Sequence, residues 1–351
     1  MADAPTLRTL GAADAGALAE LAARPDVVRM GDHLDTLRAS DWAAWIGPPE
    51  RDGAPVLGAF EDGALVAAAK LEPRTRRRVA HSAKITLVAS EKRRFDRAVD
   101  ALLDALVDAA DRWLQIVRLD LAGPAGHRRL KRYERRGFAL EAIQRGAILT
   151  DGEFIDEATF GRIRPGTEPY APPPSNLELP WPPKGPRIKA KIRQAREEDG
   201  PAVAEMMAET TVVWGTMQIP FQSPGMWGAR FATNPPDRFF TYVAEHRGAI
   251  LGMASVILLG ELRRRHVGSV GMSVATRAQG RGVGRALLER LLETADALRV
   301  HRVELGVYVD NDRAIRLYER CGFVREGKQR LLAFRDGGWV DNLVMARVRA
   351  S

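Results

Sequence analysis

The chain has 351 residues, 45% of them hydrophobic and 28% charged, with a formal net charge of +8. This length favours two domains, and the composition is typical of a soluble globular protein. The single cysteine, Cys321, excludes an internal disulfide framework and a cysteine-based zinc site, and the six histidines show no metal-ligand spacing.

The positive charge, with a pI near 9.9, favours an anionic partner. Charge alone does not choose between nucleic acid, a membrane surface and a phosphorylated cofactor. The longest apolar runs fall well short of the ~20 residues that a membrane helix requires. Residues 1–11 lack the basic-then-apolar order of a signal peptide. We therefore expect a cytoplasmic protein with no membrane partner.

A proline-rich segment divides the sequence near its middle. Residues 164–187 contain nine prolines and almost no periodic pattern of apolar residues. Such a segment is typical of an extended, semi-rigid linker. We therefore predict two domains, at residues 1–163 and 188–351.

The two halves resemble each other at a constant offset of 185 residues. "YERRGF" at 133–138 matches "YERCGF" at 318–323, and "DGEFID" at 151–156 matches "DGGWVD" at 336–341. Single residues such as Trp42 and Trp227 also match. Self-similarity of this kind indicates a duplicated fold.

The second half shows alternating strand and helix signals in chain order. Asp199 is a plausible N-cap for a first helix. The runs "FFTYVAE", "AILGMASVIL" and "HVGSVGMSV" predict three strands, with "HRG" as the turn between the first two. A helix is predicted from Val283 to Leu298, followed by the strand "RVELGVYV", the helix "NDRAIRLYERCG" and a hairpin around "DGG". The predicted fold class is mixed α/β, and the repeat gives the first half the same plan.

Three glycines, Gly280, Gly282 and Gly284, lie between a predicted strand and a predicted helix. A glycine-rich turn at this place exposes unpaired backbone amides at the N-terminus of the helix, and such amides bind phosphate oxygens. A packing turn without a ligand is the alternative that the glycines alone leave open.

Two motifs of the second half resemble those of the GNAT superfamily of acyltransferases. Gln279, Gly282 and Gly284 match its Q/R-x-x-G-x-G/A signature. "NDRAIRLYERCGF" resembles its second signature, in which an Asn precedes an Ala, a Tyr and a Gly-Phe pair. The resemblance covers most of residues 190–351 and implies a mostly antiparallel sheet flanked by helices, with acetyl-CoA as cofactor. Together with the repeat it implies two tandem GNAT folds.

The resemblance also implies roles for individual residues. It gives Tyr318 as the general acid for the departing sulfur. Because an acceptor amine is mostly protonated at neutral pH, a base or a water chain must also remove a proton, and the candidates for the base are Glu304, His266 and Asp341. The last two recur at the same offset in the first half, which favours structural roles for them. The implied cofactor-binding positions are Met272, Ser273, Val274, Gln279, Gly280, Arg281, Gly282, Val283, Gly284, Arg285, Asn311 and Ala314.

The segment "TMQIPFQSPGMW" lies where this fold builds the lip of the acceptor pocket. Met217, Ile219 and Phe221 are expected to line an apolar pocket, and Gln218 to bond the polar end of the acceptor. Trp227 recurs in the first half and is expected to be a core anchor.

The resemblance extends to bacterial L-amino-acid N-acetyltransferases. We therefore expect acetylation of the primary amine of a small molecule, an amino acid or a similar compound, by direct attack in a ternary complex. Three alternatives stay open: acetylation of a cysteinyl sugar as by mycothiol synthase, acetylation of a protein or peptide, and a non-catalytic acyl-CoA sensor. Nucleic acid is not expected, because acidic residues are interspersed among the basic ones.

The first half keeps the fold pattern but not the glycines. At the offset of 185, Gly282 falls on Arg97 and Gly284 on Val99. We therefore expect a degenerate GNAT-like domain that does not bind CoA in this way. Its expected role is to substitute for the second subunit of a homodimer, so that the chain is a monomer built as a pseudo-dimer, or a homodimer.

Overall fold

The computed structural model describes residues 4–28, 37–48, 56–167, 179, 181–182 and 185–349. The chain divides into two compact units: a first unit of Met1–Pro169 with Glu261–Arg263, and a second unit of Tyr170–Gly260 with Arg264–Ser351. Much of the predicted linker, at 168–178, 180 and 183–184, lies outside the described residues, so the boundaries at 163 and 188 stay a proposal. Among the described helices, none combines the length and the apolar character needed to cross a membrane.

The first unit is a sheet of seven described strands with helices. Its strands are β1 (Thr6–Thr9), β2 (Val56–Glu61), β3 (Ala64–Pro73), β4 (Ser82–Ala89), β5 (Arg118–Pro124), β6 (Ala139–Thr150) and β7 (Glu153–Ile163). Its helices are α1 (Ala15–Ala22), α2 (Pro25–Val28), α3 (Ala39–Ile46), α4 (Asp96–Arg112) and α5 (Leu130–Glu134). The strand order is β1-β2-β3-β4-β5-β7-β6, and every pairing in it is antiparallel except that of β4 with β5.

The second unit repeats this plan. Its strands are β8 (Lys191–Gln194), β9 (Phe239–His246), β10 (Ala249–Leu258), β11 (Val267–Val274), β12 (Arg302–Tyr308), β13 (Val324–Arg335) and β14 (Gly338–Val348). Its helices are α6 (Gly200–Met207), α7 (Thr210–Gly215), α8 (Pro224–Thr233), α9 (Val283–Ala297) and α10 (Asp312–Arg320). The order β8-β9-β10-β11-β12-β14-β13 again has one parallel pair, β11 with β12.

The sequence repeat is therefore a repeat of architecture. Strands β3, β4, β6 and β7 have bounds that differ from those of β10, β11, β13 and β14 by 185 residues, while β5 and β12 differ by 184. A one-residue indel between helix and strand accounts for the change. The mixed α/β fold is confirmed; that the first unit is a second, degenerate GNAT domain stays a proposal.

Helices cover both faces of the sheet in each unit, because successive strand residues point to opposite faces. In the second unit, Leu287 and Leu291 of α9 pack with Ala254 and Val256 of β10. On the other face, α6 and α8 form a separate core with β10, and this core contains Trp227 at 5% exposure. The prediction that Trp227 is a core anchor is confirmed.

Turn chemistry confirms most of the predicted boundaries. Arg247 and Gly248, between β9 and β10, both have positive φ, as a tight hairpin turn requires. Gly322 ends α10 with φ of 87°. Asp199 is the N-cap residue of α6, as predicted, but its side chain makes no cap bond to that helix. Its carboxylate instead accepts a hydrogen bond from the backbone N–H of Arg196 at 2.8 Å. The short turn that this bond begins leads directly into the helix.

Candidate active site

The central strands of the second unit separate from each other. β11 and β12 pair over three positions only, Val267–Ser269 with Arg302–Glu304. Beyond them β11 continues against β10 as far as Val274, and β12 continues against β14 as far as Tyr308. From Val270 onward, the facing edges of β11 and β12 therefore pair neither with each other nor with another described strand. Met272, Ser273 and Val274 lie along this gap, where backbone groups are available to a ligand.

The glycine loop follows β11 directly. Gly280 and Gly282 have φ of 71° and 89°, in the left-handed region that favours glycine. Gly282 is the N-cap residue of α9, and no side chain caps the amides there. Gly284 differs from these two, since its φ is not positive and a Cβ there would make ordinary contacts at 3.4 Å with Leu317 and Val274. Gly280 and Gly282 are therefore the glycines that shape the amide-rich turn.

A hydrogen-bond network holds the loop in place. The side-chain amide of Gln279 donates to Thr211 Oγ1 and to the carbonyl of Val274, both at 3.0 Å. Thr211 Oγ1 lies 2.7 Å from Thr276 Oγ1, and the backbone N–H of Thr276 donates to a Glu209 carboxylate oxygen at 2.5 Å. Gln279 therefore fixes the loop to α7 and to the end of β11. Glu209 and Thr211 were missed in the sequence because α7 lies more than sixty residues from the loop.

The two loop arginines have separate partners. Arg281 Nε donates to the carbonyl of Pro186 at 3.0 Å. Arg285, in the first turn of α9, pairs with Glu289 at 2.7 Å on an exposed face. Val283, between them, is buried in the core. The three side chains therefore point in different directions.

The start of α10 borders the gap from the β12 side. Asn311 is the N-cap residue, and its Oδ1 accepts a hydrogen bond from the backbone N–H of Ala314 at 3.2 Å. Two turns further along, Tyr318 is 7% exposed. Burial raises the pKa of Tyr318 to about 12. Within the described residues its hydroxyl makes no hydrogen bond, so at neutral pH it is a protonated group without a partner.

Glu304 and His266 lie at the opposite, paired end of β11 and β12. Glu304 accepts a hydrogen bond from Arg302 Nε at 2.8 Å, and Arg302 also pairs with Glu326 at 2.6 Å. His266 precedes β11, eight residues before Val274, which at strand rise is a separation of roughly 26 Å. The structure therefore does not bring these two residues together with the glycine loop.

Both residues also have structural counterparts in the first unit. Arg118 pairs with Asp120 and Glu141, in the places of Arg302 and its two carboxylates. The carbonyl of His81 accepts hydrogen bonds from the backbone N–H groups of Val117 and Arg118. His266 makes the same pair of bonds to residues 301 and 302. A structural role therefore accounts for the geometry of both candidates.

Asp341 has the structural role that its repetition predicts. Its Oδ1 accepts a hydrogen bond from the backbone N–H of Leu331 at 2.9 Å, at an irregularity of the β13–β14 pairing. In the first unit Asp156 accepts a bond of the same length from Gly146. Both carboxylates hold a β-bulge.

The expected acceptor lip, residues 216–222, contacts the end of β12. The Tyr308 hydroxyl donates to the carbonyl of Thr216 at 3.1 Å and lies 3.3 Å from Met217 Sδ. Gln218 Oε1 accepts a hydrogen bond from Gln222 at 2.5 Å. Gln222 in turn accepts one from the Trp227 indole at 2.9 Å. Met217 and Gln218 are thus held toward the gap by a chain of contacts.

Ile219 and Phe221 differ from the expectation of an enclosed pocket. Ile219 is 38% exposed and Phe221 is 99% exposed. The reason lies in the backbone, because Phe221 has φ of 64°, which turns its ring away from the core. In this structure neither side chain lines a closed cavity.

Arg335 is a buried residue near the lip that sequence reasoning missed. Its guanidinium lies 4.1 Å from the centroid of the Trp214 ring and 5.0 Å from that of Tyr308. It also pairs with Asp310, the residue before Asn311. Arg335 therefore connects β13 to α7 and to the end of β12. In the sequence, the only local feature that marks Arg335 is its position directly before the DGG turn.

In the first unit, side chains fill the place that corresponds to the glycine loop and the start of α10. Arg129, at the offset of 185 from Ala314, is fully buried. It donates to the carbonyl of Ser90 and, at 3.2 Å, to Asp96. Burial alone would raise the pKa of Asp96, but the hydrogen bond from Arg128 and the nearby arginine charges hold that pKa below its ordinary value. No residue of the described turn at 90–96 has positive φ.

Among the described residues, no group of three or more His, Cys, Asp and Glu side chains has an arrangement that could hold a metal ion. The features of the candidate site are the backbone amides of the glycine loop, the gap between β11 and β12, and the Tyr318 hydroxyl.

The chain is similar to known acetyltransferases. Residues 205–323 match the model of the acetyltransferase (GNAT) family. The chain is 38% identical over 159 residues to the L-amino acid N-acetyltransferase AaaT of Escherichia coli K12, which covers 45% of this chain and 97% of that protein. It is 56% identical over 46 residues to a mycothiol acetyltransferase of Beutenbergia cavernae, 13% of this chain and 16% of that protein. A solved ribosomal-protein-alanine N-acetyltransferase from Brucella melitensis aligns with a TM-score of 0.42 at 29% identity, covering 45% of this chain and 99% of that one.

Proposed function

The chain belongs to the GNAT family of acetyltransferases, and we propose that it transfers the acetyl group of acetyl-CoA to the primary amine of a free amino acid or a similar small molecule. It is an N-acetyltransferase with acetyl-CoA as its cofactor. The observation that carries the proposal is the gap between β11 and β12, which ends at the glycine loop on one strand and at the helix of Tyr318 on the other.

The residues present fit this cofactor. Gly280 and Gly282 adopt a turn that a Cβ would strain, and they leave the first amides of α9 without a side-chain cap. Such amides suit a diphosphate. The unpaired edge of β11 at Met272, Ser273 and Val274 suits an extended amide-containing arm, because it offers backbone donors and acceptors. We propose that these residues, with Gln279 behind the loop, hold the cofactor.

The proposed mechanism is direct transfer in a ternary complex. Acetyl-CoA supplies the acetyl group as a thioester, whose sulfur leaves when an amine attacks the carbonyl carbon. A backbone N–H on the free edge of β11 would stabilise the negative charge on the carbonyl oxygen. Tyr318 would donate its proton to the sulfur, because its pKa of about 12 keeps the hydroxyl protonated at neutral pH.

We propose no protein side chain as the base that removes the proton of the acceptor amine. Glu304 is paired with Arg302, and His266 lies at the far end of β11. The reaction would therefore use the small neutral fraction of the acceptor amine, or solvent water would remove its proton.

Two observations support the proposed acceptor class: the similarity to an L-amino acid N-acetyltransferase, and the residues of the expected acceptor lip at 216–222. The E. coli protein that is 38% identical is named for L-amino acids, and this chain covers 97% of it. Met217 offers an apolar contact beside Tyr308, and Gln218 a side-chain amide, which suits a small molecule with one apolar and one polar part. A second candidate is the amine of a cysteinyl sugar, favoured by the 56% identity over 46 residues to a mycothiol acetyltransferase.

The test is a panel of acceptors assayed by release of the CoA thiol, with the acetylated product identified by mass spectrometry. The panel contains L-amino acids, cysteinyl sugars, polyamines and short peptides. N-acetyl amino acids and α-hydroxy acids serve as controls, since they keep the shape but lack a primary amine. Turnover of L-amino acids without turnover of the controls is the expected result. Exclusive turnover of peptides, or none with any amine, would contradict the proposal.

A further inference from the structure

A short segment before β8 lies directly on the glycine loop. The backbone N–H of Ile188 donates to the carbonyl of Arg281 at 2.9 Å. In return, Arg281 Nε donates to the carbonyl of Pro186 at 3.0 Å. The approach is close, because a Cβ on Gly185 would lie 3.2 Å from Arg281 Nε. Two hydrogen bonds in opposite directions thus fix residues 185–188 across the loop.

Two arginine side chains lie over the two glycines of positive φ. Cγ and Nε of Arg187 lie 3.0 Å from the place that a Cβ would take on Gly282. On the other side, Arg313 Nη2 lies 2.8 Å from the corresponding place on Gly280. Arg313 stands in the first turn of α10, and its guanidinium lies 5.1 Å from the centroid of the Trp181 ring. Each of the two glycines with positive φ therefore has a guanidinium group close to its Cα.

The partners of these guanidinium groups leave their charge available to a ligand. Arg193, Arg302 and Arg335 each bond carboxylates. In the part of the chain that the structure describes, Arg187 and Arg313 have no carboxylate within ion-pair distance. Guanidinium groups bind phosphate through paired, charge-assisted hydrogen bonds. Two unneutralised guanidinium groups beside an amide-rich turn create a site for a strongly anionic group.

We propose that Arg187 and Arg313 form an arginine clamp that binds the diphosphate of acetyl-CoA from above while the loop amides bind it from below. The segment 185–188 is then part of the cofactor site, and the loop glycines leave room for the two guanidinium groups to approach. The clamp contributes to affinity for the diphosphate and takes no part in acetyl transfer or in choice of acceptor.

The test is calorimetric titration of the full chain with CoA, dephospho-CoA and pantetheine. Arg187→Ala and Arg313→Ala are each expected to raise the Kd for CoA and for dephospho-CoA by roughly tenfold to a hundredfold, the range of a charged hydrogen bond. The Kd for pantetheine, which has no diphosphate, stays as in the wild type. Arg187→Lys keeps part of the affinity. Arg320→Ala, an exposed arginine of the same helix as Arg313, is the matched control and leaves all three values unchanged.

Three results would overturn the clamp. One is a wild-type Kd for CoA in both alanine variants. Another is an equal loss of affinity for pantetheine, which would indicate a scaffolding role. The third is a loss confined to CoA, which would place the contact at the 3′-phosphate. Thermal unfolding without ligand verifies that each variant is folded. Because no acceptor is present, the result is independent of the acceptor panel.

Discussion

At the scale of single residues, protonation decides what Tyr318 can do. Burial raises the pKa of Tyr318 to about 12 and that of Tyr133, its counterpart in the first unit, to about 12 as well. Burial alone therefore does not distinguish a catalytic tyrosine from a structural one. The difference between them lies in the surroundings. The helix of Tyr318 contacts Gly284 of the glycine loop through Leu317, whereas Tyr133 interacts with the buried Arg129.

This protonation state predicts the pH dependence of the rate. A hydroxyl with a pKa of about 12 stays protonated below that pH, and its proton is lost only as the pH rises through 12. The acceptor amine, by contrast, must lose a proton before it attacks. We expect kcat/KM for the acceptor to rise with pH up to the pKa of the amine itself, with no decline below pH ~10. A bell-shaped profile with a midpoint near 6 to 7 would instead indicate a protein base.

The glycine at position 282 gives a second residue-scale prediction. Gly282→Ala places a Cβ at φ of 89° and 3.0 Å from Arg187, with a strain of about 1–2 kcal/mol. We expect the Kd for acetyl-CoA to rise at least tenfold by calorimetry, because the turn opens. Gly63→Ala is the matched control, since φ is 77° and a Cβ there meets nothing within 4 Å. It should lose similar stability and keep its affinity; equal affinity in both variants would contradict the role of the loop.

At the scale of elements, a buried ion cluster holds β12 to β13. Arg302 is fully buried and bonds Glu304 and Glu326, the second of which has a side chain 2% exposed. Arg302→Leu leaves these carboxylates without their cation, at a cost of about 3–5 kcal/mol in the free energy of unfolding. Urea denaturation measures it. The exposed Arg290, paired with Glu293, is the control, and its alanine variant should lose less than about 0.5 kcal/mol. Equal losses would mean that the cluster adds no stability.

Sequence patterns predicted the elements better than the site. The strands β9 to β12, the hairpin turns and the end of α10 at Gly322 follow from local signals, because alternation and turn chemistry act over a few residues. The network of Thr211 with Gln279 and the contact of Arg187 with Gly282 join residues 68 and 95 positions apart. No short-range pattern of apolar and polar residues indicates contacts between residues so far apart in the sequence. The glycine loop and Tyr318 can be predicted from the sequence because each lies in a short motif.

At the scale of the whole molecule, the two units share an architecture but differ at the cofactor position. The strand order and the single parallel pair recur in both. In the second unit the turn after the parallel strand has two glycines of positive φ. In the first unit Arg129 and Asp96 fill the corresponding place. The two units thus have the same sheet but differ in the turn that follows the parallel strand.

This difference predicts the number of cofactor molecules that bind. We expect calorimetry to give one acetyl-CoA per chain, because the first unit has side chains where the second has an amide-rich turn. Arg129→Ala removes the buried guanidinium and should lower the melting temperature without adding a second site. Two equivalents of acetyl-CoA per chain would contradict the account of the first unit.

The most direct test of the central claim is the kcat for thiol release with acetyl-CoA and the best L-amino acid, compared between the wild type, Tyr318→Phe and Tyr133→Phe. Both variants remove one hydroxyl from a buried tyrosine whose pKa is about 12. The account predicts a fall in kcat of about a hundredfold or more for Tyr318→Phe, an unchanged Kd for CoA, and a wild-type rate for Tyr133→Phe. A wild-type kcat in Tyr318→Phe, or equal losses in both variants, would contradict it.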